Sequence, residues 1–342
     1  MQFNFLNKLP TPLEIKQQFP VSLDLKKIKE ARDREIEAIF TGTDDRFLVV
    51  IGPCSAHDRD AVLSYVDKLA ALQERVKDRV LIIPRIYTNK PRTTGAGYKG
   101  LLHQPDPLRE PDMLSGIKAI RRLHIDVLRE TGMSTADEML YPENHRYLND
   151  VLGYVAVGAR SVENQFHRLT ASGLGIPCGM KNPTSGDFSV MINAIRAAHD
   201  KHTFIYRGWE VSTPGNPLTH AILRGYVDAR GDSYPNYHYE DLNRLHKAYN
   251  ASDLANACVI VDTNHANSGK RYKEQVRITK ELMYSRKINP DLRAFVRGIM
   301  VESFLEEGTQ KAEEGIFGKS ITDPCLGWPD TEALIMHVAE NV

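Results

Sequence analysis

Charged and metal-ligating side chains follow the ends of seven of eight apolar segments of the chain. The first segment, FLVVIGPCSAHD, runs from Phe47 to Asp58 and presents Cys54 and His57 directly after an apolar run. Cysteine, histidine and carboxylate together can hold a divalent transition metal. Arginine and lysine beside them suit an anionic substrate, because they bind phosphate and carboxylate groups. The residues at the segment ends are Cys54, Arg85, Asp137 with Glu138, Arg160, Lys181, Asp262 with His265, and Glu302.

Two metal arrangements are compatible with these residue types. One is a chelating pair, Cys54-x-x-His57, and the other joins Cys54 to His265, Glu302 and Asp323, which are far apart in the chain. No local spacing supports the second arrangement. Taken alone, the stretch also fits a structural cysteine and a surface histidine, since an unpaired cysteine is among the most buried residue types.

A second set of these residues is cationic. So many positive side chains at one site indicate a substrate with several negative charges, such as a phosphate ester. The glycine-rich stretch RTTGAGYKG resembles a phosphate-contacting loop, although its spacing fits no P-loop. The cationic set is Arg85, Lys90, Arg92, Arg160, Lys181 and Arg224.

Short apolar segments alternate with amphipathic helical patterns after residue 45. This alternation predicts a (β/α)8 barrel, with a doubly wound open sheet as the alternative. In a barrel the carboxyl ends of the strands meet at one face, where active sites lie, so the residues above would converge. The predicted strands are Phe47–Ile51, Val80–Ile86, Ser134–Met139, Tyr154–Ala159, Pro177–Met180, Thr203–Tyr206, Ala257–Val261 and Phe295–Val301.

One segment departs from this alternation. Phe204–Leu223 is rich in β-formers, glycine and proline, and is predicted to be a β-hairpin or long loop inserted after strand six.

Two helical patterns precede the first strand, at Pro12–Gln18 and Leu23–Phe40. We therefore predict an N-terminal extension, residues 1–45, and a catalytic barrel, residues 46–342. The extension is not expected to be needed for the barrel core. Its apolar side chains should pack on the barrel or on a neighbouring subunit. They are Phe3, Phe5, Leu6, Leu9, Leu13, Ile15 and Phe19.

Composition excludes several classes of protein. Lys+Arg and Asp+Glu are equal at 44 each, so neither a nucleic acid nor a membrane surface is expected as the main partner. Four cysteines, all far apart, do not form a disulfide scaffold. The sequence has neither an apolar run of about 18 residues nor a secretory signal pattern, so a cytoplasmic protein is expected.

Seven motifs in order resemble class I 3-deoxy-D-arabino-heptulosonate-7-phosphate (DAHP) synthases, in the subgroup with an N-terminal extension. The resemblance covers about Arg46 to Trp328 and implies a (β/α)8 barrel. The motif KPRTTGAGYKG differs from the common family form by one additional residue and by Tyr98 in place of tryptophan. The motifs are IGPCSAHD, KPRTT, GARSVENQFHR, GMKNPTSGD, VDTNHANSGK, GIMVESFLEEG and GKSITDPCLGW.

The resemblance implies a transferase that condenses phosphoenolpyruvate with D-erythrose 4-phosphate and water, the first step of the shikimate pathway. It implies a divalent metal, Mn²⁺, Fe²⁺, Co²⁺ or Zn²⁺, held by Cys54, His265, Glu302 and Asp323. Phosphoenolpyruvate would be bound by Arg85, Lys90, Arg160, Lys181 and Arg224. Erythrose 4-phosphate would be bound by Arg92 and Thr93 with Ser161. The residues expected to be catalytic are Lys90, Glu138, Arg160 and Lys181.

The resemblance also implies a homodimer or homotetramer inhibited by an aromatic amino acid. The effector pocket is expected near Ala171–Gly175 and the insert around Phe204–Val211, with the N-terminal extension contributing. Two other functions stay open on the sequence. One is a related enzyme that condenses phosphoenolpyruvate with arabinose 5-phosphate, and the other is a non-catalytic effector-binding barrel.

Overall fold

A computed structural model describes residues 2–342 of the chain. Eight parallel strands form one sheet, in the order Val80–Pro84, Phe47–Gly52, Val296–Glu302, Val259–Asp262, Thr219–Leu223, Cys178–Lys181, Leu152–Val157 and Thr135–Glu138. A parallel bridge between Arg85 and Ala136 joins the two edge strands, so the sheet closes into a barrel. The predicted (β/α)8 barrel is therefore confirmed, and the open sheet is wrong.

Helices lie between most consecutive barrel strands and cover the outside of the barrel. The barrel strands are β1 (Phe47–Gly52), β2 (Val80–Pro84), β3 (Thr135–Glu138), β4 (Leu152–Val157), β5 (Cys178–Lys181), β8 (Thr219–Leu223), β11 (Val259–Asp262) and β12 (Val296–Glu302). The α-helices are α1 (Pro12–Gln18), α2 (Leu23–Thr41), α3 (Arg59–Val76), α4 (Met113–Thr131), α5 (Pro142–His145), α6 (Gln165–Ala171), α7 (Phe188–His199), α8 (Tyr239–Asn250), α9 (Glu274–Ile288), α10 (Pro290–Phe295) and α11 (Trp328–Asn341).

The inserted β-hairpin exists, but it precedes the sixth barrel strand. Its strands β6 (His202–Tyr206) and β7 (Trp209–Thr213) pair only with each other, whereas β8 pairs with β5 and β11 inside the barrel. The assignment of Thr203–Tyr206 as barrel strand six is therefore wrong. Both segments favour strands, and burial distinguishes them: β8 is buried throughout, while β6 alternates between exposed and half-buried residues. A further short hairpin, β9 (Tyr226–Val227) with β10 (Ser233–Tyr234), follows β8.

Local signals define the two N-terminal helices. Thr11 and Glu14 form a capping box at the start of α1. The Ser22 side chain caps the start of α2, and Gly42 ends it in the left-handed conformation at φ 79°. Both helices were predicted from the sequence, and α2 extends one residue further than expected.

Helix α2 fills the amino end of the barrel. Ile36, Ile39 and Phe40 are buried in one apolar cluster with residues that face the barrel interior, such as Leu48. The Phe40 ring lies 4.2 Å from the His220 ring, near the start of β8. The expectation that the extension is not needed for the core is therefore wrong for α2. Because the barrel interior is closed at this end, only the opposite end is free to hold a cleft.

Among the helices of residues 2–342, none combines the length and the apolar character that crossing a membrane would require.

Candidate active site

Three predicted metal ligands converge at the carboxyl end of the barrel. One ligand atom from each of Cys54, Glu302 and Asp323 lies within 4.8 Å of the others. Cys54 follows β1, Glu302 ends β12, which pairs with β1, and Asp323 lies in the loop beyond. Residues 269 positions apart in sequence thus meet, with the Cys54 Sγ 3.3 Å from Asp323 Oδ2.

The fourth predicted ligand, His265, borders this group. Its Nε2 lies 3.9 Å from Glu302 Oε1, and its Nδ1 lies 2.9 Å from Asp262 Oδ2. The backbone of His265 has φ 53°, a conformation uncommon for a residue with a side chain. A carboxylate at one ring nitrogen leaves the other nitrogen available as a metal ligand.

The electrostatics keep the two carboxylates of this group ionised. Burial opposes ionisation of Asp323, but the neighbouring Lys90 ammonium lowers its pKa below the ordinary value. Burial likewise opposes ionisation of Glu302, and the Arg85 guanidinium lowers the pKa of that carboxyl. By contrast, burial and the nearby Glu302 raise the pKa of the Cys54 thiol to about 12. A thiol becomes a thiolate when it coordinates a metal.

This donor set fits a divalent transition metal. It combines one sulfur, two carboxylates and one imidazole, a mixture that such metals accept. In addition, Glu302 Oε1 is buried and has no hydrogen-bond partner of good geometry within the described chain. The Arg85 guanidinium lies 2.9 Å from this oxygen without hydrogen-bond geometry, so a lone pair remains for a metal ion.

The predicted cationic residues surround a cavity of about 310 Å³ beside the metal-ligand group. Arg160 extends into it after β4, and Arg224 after β8. His265 and Asp323 also line this cavity, so the anion-binding and metal-binding residues share one cleft. The lining residues are Arg85, Tyr87, Asn89, Lys90, Pro91, Arg92, Thr93, Thr94, Ala96, Glu138, Gly158, Ala159, Arg160, Lys181, Arg224, His265, Lys270 and Asp323.

Buried ion pairs hold two of these cations. Arg85 Nη2 lies 2.9 Å from Glu302 Oε1, and Lys181 Nζ lies 3.2 Å from Asp262 Oδ2. The guanidinium of Arg85 also stacks on the Tyr87 ring, 3.9 Å from its centroid. Each carboxylate offsets part of the cost of burying its cation inside the barrel.

Lys90 connects the anion-binding residues to the metal ligands. Its Nζ lies 2.6 Å from Cys54 Sγ and 2.9 Å from Asp323 Oδ2. Burial alone would lower the pKa of this ammonium, but the surrounding Cys54 and Asp323 raise it. Lys90 is therefore a protonated donor at the junction of the two groups.

Glu138 enters the cavity from the end of β3 and is buried. Its carboxylate packs against the backbone of Gly158, where a Cβ atom would lie 2.5 Å from Glu138 Oε1. A side chain at position 158 would displace the Glu138 carboxylate, so the glycine of the GAR motif after β4 makes room for it.

The remaining predicted residues divide between the cavity and its surroundings. Arg92 and Thr93 line the cavity, whereas Ser161 does not. His57 lies outside the metal-ligand group and lines a separate groove with Asp58.

Three further residues that line the cavity, Tyr87, Asn89 and Lys270, are not predicted from the sequence. Tyr87 lies between Arg85 and Lys90 in the chain, and that position could have identified it.

Comparisons with known proteins agree with this site. The family model described as the DAHP synthetase I family matches residues 18–336. The Trp-sensitive phospho-2-dehydro-3-deoxyheptonate aldolase of Enterobacter agglomerans is 39% identical, over 98% of this chain and 96% of its own. The Phe-sensitive enzyme of Escherichia coli strain K12 is 38% identical, over 98% and 95%.

A solved structure gives the same result at the level of the fold. The phospho-2-dehydro-3-deoxyheptonate aldolase of Francisella tularensis SCHU S4 superposes with a TM-score of 0.92 at 31% identity, covering 100% of this chain and 98% of that one. From the matched family model and these relatives, together with the converged cations and metal ligands, it follows that the chain belongs to the DAHP synthetase I family.

Proposed function

We propose that the two groups of the cleft divide one condensation reaction between them. As a member of the DAHP synthetase I family, the chain is a transferase that joins phosphoenolpyruvate to D-erythrose 4-phosphate and water. The products are 3-deoxy-D-arabino-heptulosonate 7-phosphate and phosphate, and the reaction is the first step of the shikimate pathway. The observation that carries the division is the position of Lys90, between the cationic cavity and the metal ligands.

Phosphoenolpyruvate occupies the cationic part of the cleft. Arg160 and Arg224 bind its phosphate and carboxylate with Arg85 and Lys181, and these four side chains line the same cavity. Arg85 and Lys181 have fixed directions because each is paired with a buried carboxylate. Preorganised cations of this kind stabilise the negative charge that develops on the departing phosphate.

Erythrose 4-phosphate occupies the side formed by Arg92 and Thr93, which bind its phosphate group. Ser161 is not assigned to this role, because it does not line the cavity. Lys90 donates a proton to the alkoxide that forms from the aldehyde. Glu138 accepts the proton of the attacking water, since it lines the same cavity as the cations assigned to phosphoenolpyruvate.

Cys54, His265, Glu302 and Asp323 would hold the divalent metal. When bound, it supplies a Lewis acid for the aldehyde oxygen. Mn²⁺, Fe²⁺, Co²⁺ and Zn²⁺ are all compatible with sulfur, nitrogen and oxygen ligands in one site.

Initial rates with two aldose phosphates test this function. We expect phosphate release from phosphoenolpyruvate with erythrose 4-phosphate, loss of that release with EDTA, and recovery when Mn²⁺ is added. Arabinose 5-phosphate is the matched control. A higher rate with arabinose 5-phosphate than with erythrose 4-phosphate would assign the chain to the related enzymes that condense phosphoenolpyruvate with arabinose 5-phosphate. If neither aldose phosphate gave a metal-dependent rate, the result would favour the non-catalytic effector-binding barrel.

A second cavity supports feedback inhibition by an aromatic amino acid. It has a volume of about 450 Å³ and shares no lining residue with the cleft. Lys29 and Asp33 of α2 lie on one side of it, and Phe204 of the hairpin lies on the other. The predicted Ala171–Gly175 region contributes through Gly173, Leu174 and Gly175.

The chemistry of this cavity suits a zwitterion with an apolar ring. Arg146 can bind a carboxylate. Asp33 pairs with Lys29 through Oδ2, and its Oδ1, which is buried without a partner among residues 2–342, can bind an ammonium group. Leu174 and Phe204 offer apolar surface to the ring. Relatives whose names state sensitivity to tryptophan or phenylalanine agree with an effector of this class.

Asp33→Asn tests the effector cavity, with Asp24→Asn on the exposed face of the same helix as control. Inhibition by phenylalanine, tyrosine and tryptophan is measured relative to each variant's own uninhibited rate. We expect Asp33→Asn to weaken inhibition about tenfold or more, because it removes a charged hydrogen-bond acceptor, and Asp24→Asn to leave it unchanged. Indifference of the intact enzyme to all three amino acids would overturn the regulatory proposal.

The residues before α1 support a homodimer or homotetramer. We propose that the residues before α1, 2–11, form an arm that contributes to assembly. Phe3, Phe5 and Leu6 are 74%, 97% and 86% exposed, and apolar side chains exposed to this extent indicate a contact surface. Sedimentation of the full chain and of a chain without residues 2–9 tests this. A smaller assembly for the shortened chain is expected, and equal masses would contradict the proposal.

A further inference from the structure

Three buried asparagines form a hydrogen-bonded cluster behind the cationic part of the cleft. Asn182, Asn236 and Asn267 are 0%, 1% and 4% exposed. Asn236 Nδ2 donates to Asn182 Oδ1 at 3.1 Å, and the Asn236 backbone N–H donates to Asn267 Oδ1 at 2.9 Å. The three residues follow β5, β10 and β11, so the cluster joins segments that are distant in the chain.

The cluster holds the backbone of Arg224 from both sides. The Arg224 N–H donates to Asn182 Oδ1 at 2.9 Å, and the Asn267 N–H donates to the Arg224 carbonyl at 3.2 Å. The next residue is held in the same way: the Gly225 N–H donates to Asn236 Oδ1 at 2.8 Å, and Asn182 Nδ2 donates to the Gly225 carbonyl at 2.9 Å. Every backbone polar group of the two residues that begin this loop is therefore bonded to the cluster.

In contrast to its backbone, the guanidinium of Arg224 has one buried nitrogen that is not hydrogen-bonded. Its Nη1 is buried and has no hydrogen-bond partner within residues 2–342, and the side chain lines the cleft. Arg85 and Lys181 differ, since each of them is aligned by a carboxylate. The direction of Arg224 thus depends on its backbone to a greater degree than the directions of those two cations.

We propose that Asn182, Asn236 and Asn267 are positioning residues that fix Arg224 for phosphoenolpyruvate. This inference rests on the proposed role of Arg224. Asn267 Nδ2 also donates to the Asp262 carbonyl at 2.8 Å, and Asn182 directly follows Lys181, so the cluster connects the ends of three adjacent barrel strands. A buried amide network with its donors and acceptors paired is rigid, which lowers the cost of ordering the site when substrate binds.

Asn182→Ala tests the proposal, with Asn216→Ala as a matched control. Asn216 is equally buried, at 2%, and its side chain also braces backbone, donating to the carbonyls of Ala171 and Ile176, but it lies outside the cleft. Without effector, we expect Asn182→Ala to raise the KM for phosphoenolpyruvate about ten- to hundredfold, because small displacements of binding groups have effects of that size. The KM for erythrose 4-phosphate should change much less, and Asn216→Ala should change neither KM.

A double-mutant cycle with Arg224→Ala tests two claims separately: that Arg224 binds phosphoenolpyruvate, and that the asparagine cluster acts through Arg224. If the cluster acts through Arg224, adding Asn182→Ala to Arg224→Ala raises the KM for phosphoenolpyruvate no further. An unchanged KM in Arg224→Ala alone would refute the assignment of Arg224 to phosphoenolpyruvate. A raised KM in Arg224→Ala but an unchanged one in Asn182→Ala would refute the positioning role alone.

The melting temperature of each variant is also measured. If the asparagines had a purely structural role, Asn182→Ala and Asn216→Ala would both lower the melting temperature, and the KM for phosphoenolpyruvate would not change selectively. Should Asn182→Ala fail to fold, Asn236→Ala replaces it. That variant loses the bonds to Gly225 and Asn182 and should raise the same KM. An unchanged KM in the folded Asn236→Ala enzyme would then overturn the proposal.

Discussion

At the carboxyl end of the barrel, Arg85, Lys181 and Glu302 are buried ions, whereas at the amino end Ile36 and Phe40 of α2 fill the interior with hydrocarbon. The first arrangement is costly, because each charge is removed from water and must be compensated. The second is favourable, because apolar surface is buried and the polar groups beside it, on Tyr154 and His220, are hydrogen-bonded to each other. The carboxyl end of the barrel therefore provides the reactive groups, and the amino end contributes to the stability of the fold.

Some buried polar atoms at the carboxyl end also lack hydrogen-bond partners. Arg224 Nη1, Arg85 Nε and Asn89 Oδ1 are buried at the carboxyl end without partners among the described residues. Such atoms are rare in folded proteins and call for a ligand or a functional explanation. In this family the substrates are anions with several charges, which supply acceptors for the two guanidinium groups.

The largest effect is expected from Arg160→Ala at the carboxyl end. Arg160 is exposed and lines the cleft, so its removal should reduce turnover by about a thousandfold while the free energy of unfolding stays the same. Steady-state kinetics with both substrates measure the rate. Arg34→Ala, at an exposed position of α2, is the control and should change neither quantity. An Arg160→Ala enzyme with near-normal activity would contradict the assignment.

Phe40→Ala is the opposite experiment, at the amino end. The side chain is 2% exposed and packs on His220 and Tyr154, so its truncation should reduce the free energy of unfolding by about 3–5 kcal/mol. Urea unfolding gives the stability, and kinetics below the transition give the KM values, which should not change. If Phe40→Ala reduced activity but not stability, the assignment of catalysis to the carboxyl end and of stability to the amino end would be wrong.

The smallest effect concerns pH and two buried thiols near the amino end. Burial raises the pKa of both Cys178 and Cys258 to about 12. Above pH 9 the unfolded chain loses these protons while the folded chain keeps them, so stability should fall as pH rises. The expected slope is about 1.4 kcal/mol per pH unit for each thiol. Urea unfolding at pH 8, 9 and 10 measures it, and Cys178→Ser should have a shallower slope. A stability that does not change over this range would be evidence against deep burial of the thiols.

Much of this division could be predicted from the sequence. Cys54, Arg85, Lys181 and Glu302 follow apolar strands, and barrel geometry brings the ends of such strands together whatever their separation in the chain. The family motifs then gave these residues roles that residue types alone leave open.

What could not be predicted depends on contacts between distant segments. The hairpin and β8 have similar strand propensity, and only pairing with β5 and β11 shows which of them belongs to the barrel. The apolar face of α2 is visible in the sequence, but its target, the open end of the barrel, is not. The asparagine cluster likewise joins residues up to 54 positions apart through single hydrogen bonds, and no periodic pattern reports them.

A metal titration of Cys54→Ser tests most directly whether the reactive end of the barrel is a metal site. Cys178→Ser is the matched control, because both thiols are completely buried and only Cys54 belongs to the group with Glu302 and Asp323. Isothermal titration of the EDTA-treated proteins with Mn²⁺ or Zn²⁺ measures affinity directly. We predict a loss of about ten- to hundredfold for Cys54→Ser and unchanged affinity for Cys178→Ser. Equal affinities in the two folded variants would contradict the account.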